Sequence, residues 1–260
     1  MFIFSLFFSF FTHQSPLRSY EITVEGLSCF SYSYTDMESK KPLLVFVHGS
    51  PGDYSGWDKY LKDNDLQAKY RLLAIDRPGY GQSISQDTMA FPSLDFQVKV
   101  LRAFTKKYAH RQPVLLLGHS VGGPIVSLYT ATYPDKIQAL ILLAPAISAQ
   151  HEQPRFYNRL AQKRWFNKKI AHEMQISQIE MMHLPQQLEV MQPILAQITV
   201  KTWLFHGRLD MIAPYGNARY VQKNFINAPL TTKTYPFQNH FIPWTKFKEV
   251  KDLLMTLSYL

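Results

Sequence analysis

The chain has a single cysteine, Cys29, in 260 residues. One thiol excludes an intramolecular disulfide and a cysteine-based metal cluster, and it leaves the redox compartment open. Acidic residues are also few: 19 Asp and Glu stand against 28 Lys and Arg, for a formal net charge of +9. A surplus of that size attracts anionic lipid, nucleic acid or acidic substrates through long-range Coulomb fields. Nucleic acid is set aside as a partner because zinc-finger spacing, a phosphate-cradling Gly-rich loop with Lys and a basic helix suited to reading bases are all missing. The apolar run Met1 to Thr12, rich in Phe, is about half the ~20 residues that a membrane-spanning helix needs. Its length suits the core of an export signal, although no Lys or Arg precedes it and no small-residue cleavage site follows cleanly. It favours an exported or membrane-associated location over a cytoplasmic one, with an N-terminal extension packed on the domain as the other reading.

Hydrophobic residues make up 46% of the chain and charged residues 18%, enough apolar material for one large core. Alternation around Gly26, from Tyr20 to Tyr34, predicts two antiparallel strands at a sheet edge. Leu43 to Val47 is then an uninterrupted apolar run, the mark of a strand covered on both faces. Similar runs at Tyr70 to Ile75, Pro113 to Leu117 and Ala139 to Leu143 alternate with helical patterns at Leu94 to Tyr108 and Val121 to Tyr133. Strands alternating with helices specify right-handed crossovers and an α/β fold with a doubly wound, mainly parallel sheet. From Ile147 to Thr199 the strand rhythm gives way to a Gln-, Met- and His-rich helical stretch. Val200 to Phe205 restores a buried strand, followed by a helix from Tyr215 to Phe225, a strand from Leu230 to Tyr235 and a final helix from Pro243 to Leu257. The expected organisation is an apolar segment over 1–19, a core over 20–146 and 200–260, and a helical insertion over 147–199.

The strongest chemical signal is Gly118-His119-Ser120-Val121-Gly122-Gly123. This G-x-S-x-G sequence follows an apolar strand and precedes a helix, the context in which a strained strand-to-helix turn lifts a serine hydroxyl above a sheet. A serine nucleophile needs a base, and the base needs an acid to hold its tautomer. Asp210 follows the restored strand, in the loop His206-Gly207-Arg208-Leu209-Asp210 at the carboxyl edge where open α/β sheets place their sites. His240, in Asn239-His240-Phe241, lies between the last strand and the last helix over the same edge. The residues therefore propose Ser120 as nucleophile, His240 as base and Asp210 as orienting acid, with turn or surface roles as the plainer alternatives for the last two. The backbone N–H groups of Val121 and Ser50 are the candidate oxyanion donors, since Pro51 cannot donate. His48, Gly49, His119 and Phe241 are candidate pocket residues. Asp53 reads as an N-cap for the helix carrying Trp57 and Tyr60. No metal site is expected, and the proposed chemistry needs no cofactor.

Together these residues resemble the α/β-hydrolase superfamily over nearly the whole chain from Tyr20 onward. His48-Gly49-Ser50-Pro51-Gly52 is similar to the superfamily's His-Gly loop with a following Pro-Gly. Asp76-Arg77-Pro78-Gly79-Tyr80-Gly81-Gln82-Ser83 is similar to its D-x-P-G-x-G-x-S turn, which implies a structural role for Asp76. The resemblance also implies that 147–199 is a short cap that covers the pocket and selects substrate. Serine at the elbow argues against the dehalogenase and epoxide-hydrolase branches and favours a carboxylesterase-like serine hydrolase acting on a small-molecule ester or lipid-like substrate. Ser50 departs from the His-Gly-Gly-Pro-Gly loop of prolyl aminopeptidases, and the insertion shows no acidic cluster for an N-terminal amine. Carbon–carbon bond hydrolysis, acyl transfer and a non-catalytic ligand receptor on the same scaffold stay open. Basic residues from Arg155 to Lys169, interleaved with Phe156, Trp165 and Phe166, suit either the roof of a pocket or contact with a membrane surface.

Overall fold

The computed structural model of the protein describes residues 16–84, 93–153 and 172–257. The apolar run at the N-terminus and the basic aromatic stretch of the insertion lie outside the described residues. Eight strands form one sheet in the order β1-β2-β4-β3-β5-β6-β7-β8. Strands β1 (Arg18–Val24) and β2 (Leu27–Ser33) form the antiparallel hairpin expected around Gly26, and β2 pairs antiparallel with β4 (Arg71–Ile75). From β4 onward every pairing is parallel, through β3 (Leu43–Val47), β5 (Val114–His119), β6 (Ile137–Leu143), β7 (Lys201–Gly207) and β8 (Leu230–Tyr235).

The uninterrupted apolar runs are explained by burial on both faces, because successive residues of a strand point to opposite sides. Val45, Leu116 and Leu142 enter one core with residues of α3 (Leu94–Ala109) and α4 (Gly122–Thr132). Phe46, Leu117 and Ile141 enter the other, with Trp57 of a 3-10 turn (Tyr54–Trp57), Tyr60 of α1 (Asp58–Leu61) and Leu66 of α2 (Asn64–Lys69). Asp53 is an N-cap, its side chain accepting from Ser55 N at 2.7 Å, but what it caps is the 3-10 turn bearing Trp57 and not a helix that also carries Tyr60.

Between β6 and β7 the described residues include α5 (His172–Met191), followed by a 3-10 turn, Gln192–Gln197. Leu184, Leu188 and Met191 of α5 join the α3 and α4 core. This helix is thus anchored in the core of the domain. Helix α6 (Gly216–Asn224) follows β7. The single terminal helix expected from the sequence is two, α7 (Ile242–Thr245) and α8 (Phe247–Thr256), separated at Lys246. Apolar periodicity continues across the break, which is why it reads as one helix. Among the described residues no helix is long and apolar enough to cross a membrane.

Candidate active site

The carboxyl ends of β3, β5, β7 and β8 converge on one pocket. Ser120 sits between β5 and α4 with φ 52°, a left-handed conformation that L side chains rarely adopt. The turn is held by three backbone bonds: Ser120 N donates to Leu143 O at 3.1 Å, and Ser120 O accepts from Gly123 N at 2.9 Å and Ala146 N at 3.0 Å. The glycines of the motif answer to close approach. A Cβ on Gly122 would overlap the carbonyl oxygen of Val47 in β3, and one on Gly118 would overlap that of Gly122. The turn can lie against the neighbouring strand only with hydrogen at both positions.

Asp210 and His240 come together from the adjacent strands β7 and β8. His240 Nδ1 donates to Asp210 Oδ2 at 2.8 Å, both side chains being buried. Oδ1 of Asp210 accepts from Ile212 N at 2.9 Å and Ala213 N at 2.8 Å, so the residue shapes its own loop while it holds the histidine. A further neighbour that sequence reasoning missed is His206, whose Nε2 donates to Ala213 O at 2.9 Å and lies 3.4 Å from Oδ2. The i,i+4 spacing of His206 and Asp210 across the strand end was the available signal. Burial opposes ionisation of Asp210, but the neighbouring His206 and the hydrogen-bonded His240 outweigh it and hold the carboxyl well below the usual carboxylate range. With Nδ1 protonated toward Asp210, the lone pair of His240 is on Nε2. Ser120 lines the same pocket as His240, and its hydroxyl makes no hydrogen bond to a described residue. Hydrogen bonds between nucleophile and base are commonly loose until substrate arrives.

The other candidates surround this pocket, whose cavity is about 410 Å³. His119 donates from Nε2 to His240 O at 3.1 Å, and burial together with neighbouring His240 pushes its pKa down to about 3, so its ring is neutral. His48 uses both nitrogens on the backbone: Nδ1 donates to Gly49 O at 2.7 Å and Nε2 accepts from Arg77 N at 3.0 Å. Burial and the Arg77 charge hold it neutral, which leaves its ring as wall rather than acid or base. Gly49 is as close to the elbow as its lack of a side chain allows, since a Cβ there would come within 2.8 Å of Ser120 Cβ. Ser50 and Phe241 line the pocket, and so do Trp57, Ile212 and Trp244, which the sequence did not single out. Asp76 lies outside the pocket lining and accepts from Tyr54 N at 2.9 Å and Gln82 N at 2.8 Å, the loop-bracing role that the resemblance implies. Among the described residues no three His, Cys, Asp or Glu side chains are grouped to hold a metal ion.

A mainly parallel sheet with an antiparallel hairpin at one edge, a serine in a strained elbow after β5 and a histidine–carboxylate pair after β7 and β8 define a hydrolase architecture. The sequence pattern of the α/β-hydrolase fold family matches residues 42–194, and the chain belongs to that family. It is similar to the human monoacylglycerol lipase ABHD6, with 23% identity over 236 residues that cover 86% of this chain and 66% of the lipase. It is also similar to a 2-hydroxy-6-oxononadienedioate/2-hydroxy-6-oxononatrienedioate hydrolase of Paraburkholderia phymatum, with 30% identity over 135 residues covering 51% of this chain and 46% of that one. The chain thus spans less than two thirds of these relatives' length. Among solved structures, 2-hydroxy-6-oxo-6-phenylhexa-2,4-dienoate hydrolase from Rhodococcus sp. strain RHA1 shares the fold with a TM-score of 0.70 at 16% identity, covering 92% of this chain and 98% of that one.

Proposed function

We propose that the protein is a serine hydrolase that cleaves carboxylic esters of lipid-like substrates through an acyl-enzyme on Ser120. The observation that carries this reading is the 2.8 Å bond from His240 Nδ1 to Asp210 Oδ2 beside a pocket that His240 shares with Ser120. In this reading His240 Nε2 takes the Ser120 proton as Oγ attacks the ester carbonyl, then returns it to the departing alcohol. Water deprotonated by the same nitrogen then attacks the acyl carbon and releases Ser120. The Ser50 and Val121 N–H groups, neither of which donates to a described residue, receive the negative oxygen of each tetrahedral intermediate. The 147–199 insertion acts as the cap, with α5 as its anchored part.

The lipid-like character of the substrate is supported by the pocket rim. Ile212, Phe241 and Trp244 of the pocket lining are exposed, and Leu209 and Met211 beside Ile212 in sequence, with Phe237 on the loop that leads to His240, are exposed as well, Met211 at 79% and Phe237 at 87% accessibility. Exposed apolar groups on the loops that form a pocket suit a surface that meets another apolar phase. The aminopeptidase reading loses ground because Glu180, the buried acid of α5, is taken up by Arg77. Carbon–carbon hydrolysis keeps the support of the Paraburkholderia relative and is separated by substrate.

The test is labelling of the folded protein by a fluorophosphonate, with turnover of p-nitrophenyl acetate, butyrate and octanoate. Stoichiometric labelling and a preference rising toward the longer chains are expected. A folded protein that neither labels nor turns over any ester would remove this reading and promote the ligand-receptor one. A second expected result concerns the rim: wild type co-floats with anionic phosphatidylglycerol vesicles, and Met211→Ser with Phe237→Ser reduces the bound fraction severalfold. Equal flotation of the two proteins would detach the rim from lipid contact.

A further inference from the structure

Glu180 and Ser177 on α5 are buried, yet neither lines the pocket and neither has a part in the chemistry above. They belong to a largely buried polar network that reaches the His48–Gly52 loop. The Arg77 guanidinium donates to both carboxylate oxygens of Glu180, from Nη1 to Oε1 and from Nη2 to Oε2 at 3.0 Å. The same Nη2 donates to Gly49 O at 2.9 Å, and Gln97 Nε2 supplies Oε1 of Glu180 at 2.8 Å. Tyr80 Oη donates to Oε2 of Glu180 at 2.8 Å and lies 2.8 Å from Ser50 Oγ, which is 3.0 Å from Ser177 Oγ. Gly79 presses on the same helix, since a Cβ there would come within 2.8 Å of Ile176 Cγ2. Gly49 and Ser50 are therefore gripped at the carbonyl of one and the hydroxyl of the other, and both grips end on a carboxylate of the inserted helix.

From this geometry we infer that Glu180, Arg77, Tyr80 and Ser177 are positioning residues: through Ser50 Oγ and Gly49 O, the inserted helix fixes the direction of the Ser50 N–H. The inference rests on the reading of that N–H as an oxyanion donor. A hydrogen-bond donor aimed at a developing charge works only when its direction is set in advance, so a loop free to rock would lose transition-state binding without losing substrate binding. An apolar core could fill the same space. A buried ion pair is weak evidence for stability alone, whereas its directed bonds can specify one loop geometry.

The experiment uses Ser50→Ala, Tyr80→Phe, Ser177→Ala and the Ser50→Ala/Tyr80→Phe double variant. Each single variant removes one oxygen and the double variant two, and all leave the Ser50 N–H and the buried Arg77–Glu180 pair in place. Turnover of p-nitrophenyl butyrate is measured with inhibition by a trifluoromethyl ketone, which forms an anionic adduct with the nucleophile. In Ser50→Ala and Tyr80→Phe, kcat is expected to fall about 10-fold or more while KM stays within about twofold, and the ketone's inhibition constant rises in proportion to the loss in kcat/KM. The double variant is no worse than the weaker single, because both break one path. Ser177→Ala moves in the same direction by a smaller factor. Unchanged kcat and ketone inhibition in the single variants, with or without a lowered melting midpoint, would assign the network to stability and overturn the proposal. Additive effects in the double variant would do so too. Failure of the underlying catalytic reading is distinct, since wild type itself would then show neither fluorophosphonate labelling nor turnover.

Discussion

Ser120→Ala is expected to abolish fluorophosphonate labelling and to lower ester turnover by about 10⁴-fold or more, the scale on which serine hydrolases respond to loss of the nucleophile. The loss should fall on kcat and leave the pocket's affinity for substrate intact, because the walls formed by Trp57, Ile212, Phe241 and Trp244 are unchanged. Stability supplies the control. Alanine in place of serine keeps a Cβ at φ 52° and should leave the urea midpoint close to wild type. Ser120→Gly removes that Cβ and is expected to be more stable than the alanine variant by about 1 kcal/mol, since glycine adopts this conformation without steric cost. Equal stability of the two would mean that the elbow holds no strain at Ser120. Turnover retained in either variant would remove Ser120 from the reaction.

Asp210→Asn is expected to lower kcat by about 10⁴-fold near neutral pH while the fold persists. The replacement has nearly the same shape, but an amide NH2 turned toward His240 would donate where the carboxylate accepts. The proton of His240 would then shift to Nε2, the atom that must take the Ser120 proton. If the amide oxygen faces His240 instead, the bond is kept, but the negative charge that stabilises the protonated imidazole is gone. The pH dependence of stability follows from the same carboxyl. Its folded pKa is depressed below 3.8, the value of an unperturbed carboxyl, so its contribution is fully present well above pH 3.8 and is lost as pH falls toward the folded value. The wild type should therefore lose stability between about pH 5 and pH 3 more steeply than Asp210→Asn, read by urea midpoints across that range. Parallel curves would show that this carboxyl is not held ionised by its neighbours. Activity lost on mild acidification, by contrast, is not assigned to Asp210, which stays charged there.

Much of the sheet could be read before the structure because strands buried on both faces have a composition that few other elements share. Leu43 to Val47 and Val114 to Leu117 contain no polar residue, and both are wholly buried strands. The positions proposed for catalysis were nameable for a related reason: Ser120 follows such a run, Asp210 and His240 follow the strands β7 and β8, and parallel strands bring those ends to one edge. Contacts without a local pattern stayed hidden. Arg77 and Glu180 are 103 residues apart, and nothing in the polar stretch around Glu180 marks it as buried. Trp57 and Trp244 read as ordinary core or helix residues, although both line the pocket. The division of the last helix at Lys246 was equally invisible, because Ile242, Val250 and Leu254 serve one core across the break.

The order of the sheet separates the candidate machinery into two halves. One half hangs from the neighbouring strands β3 and β5 and holds the nucleophile and the oxyanion donors. The other hangs from the neighbours β7 and β8 and holds the acid and the base. Strand β6 lies between them, and the insertion departs after it. A chain built this way can exchange its insertion as a module, because neither half needs it for its own strand pairing. One limit on such grafts is electrostatic. A transplanted segment must bring a carboxylate to the place of Glu180, or Arg77 is left as a buried, unmatched cation beside the His48–Gly52 loop. The other is steric, because Leu184, Leu188 and Met191 complete the core of α3 and α4, so chimeras of this chain that respect both the charge and the apolar seat should outnumber the functional survivors among those that do not.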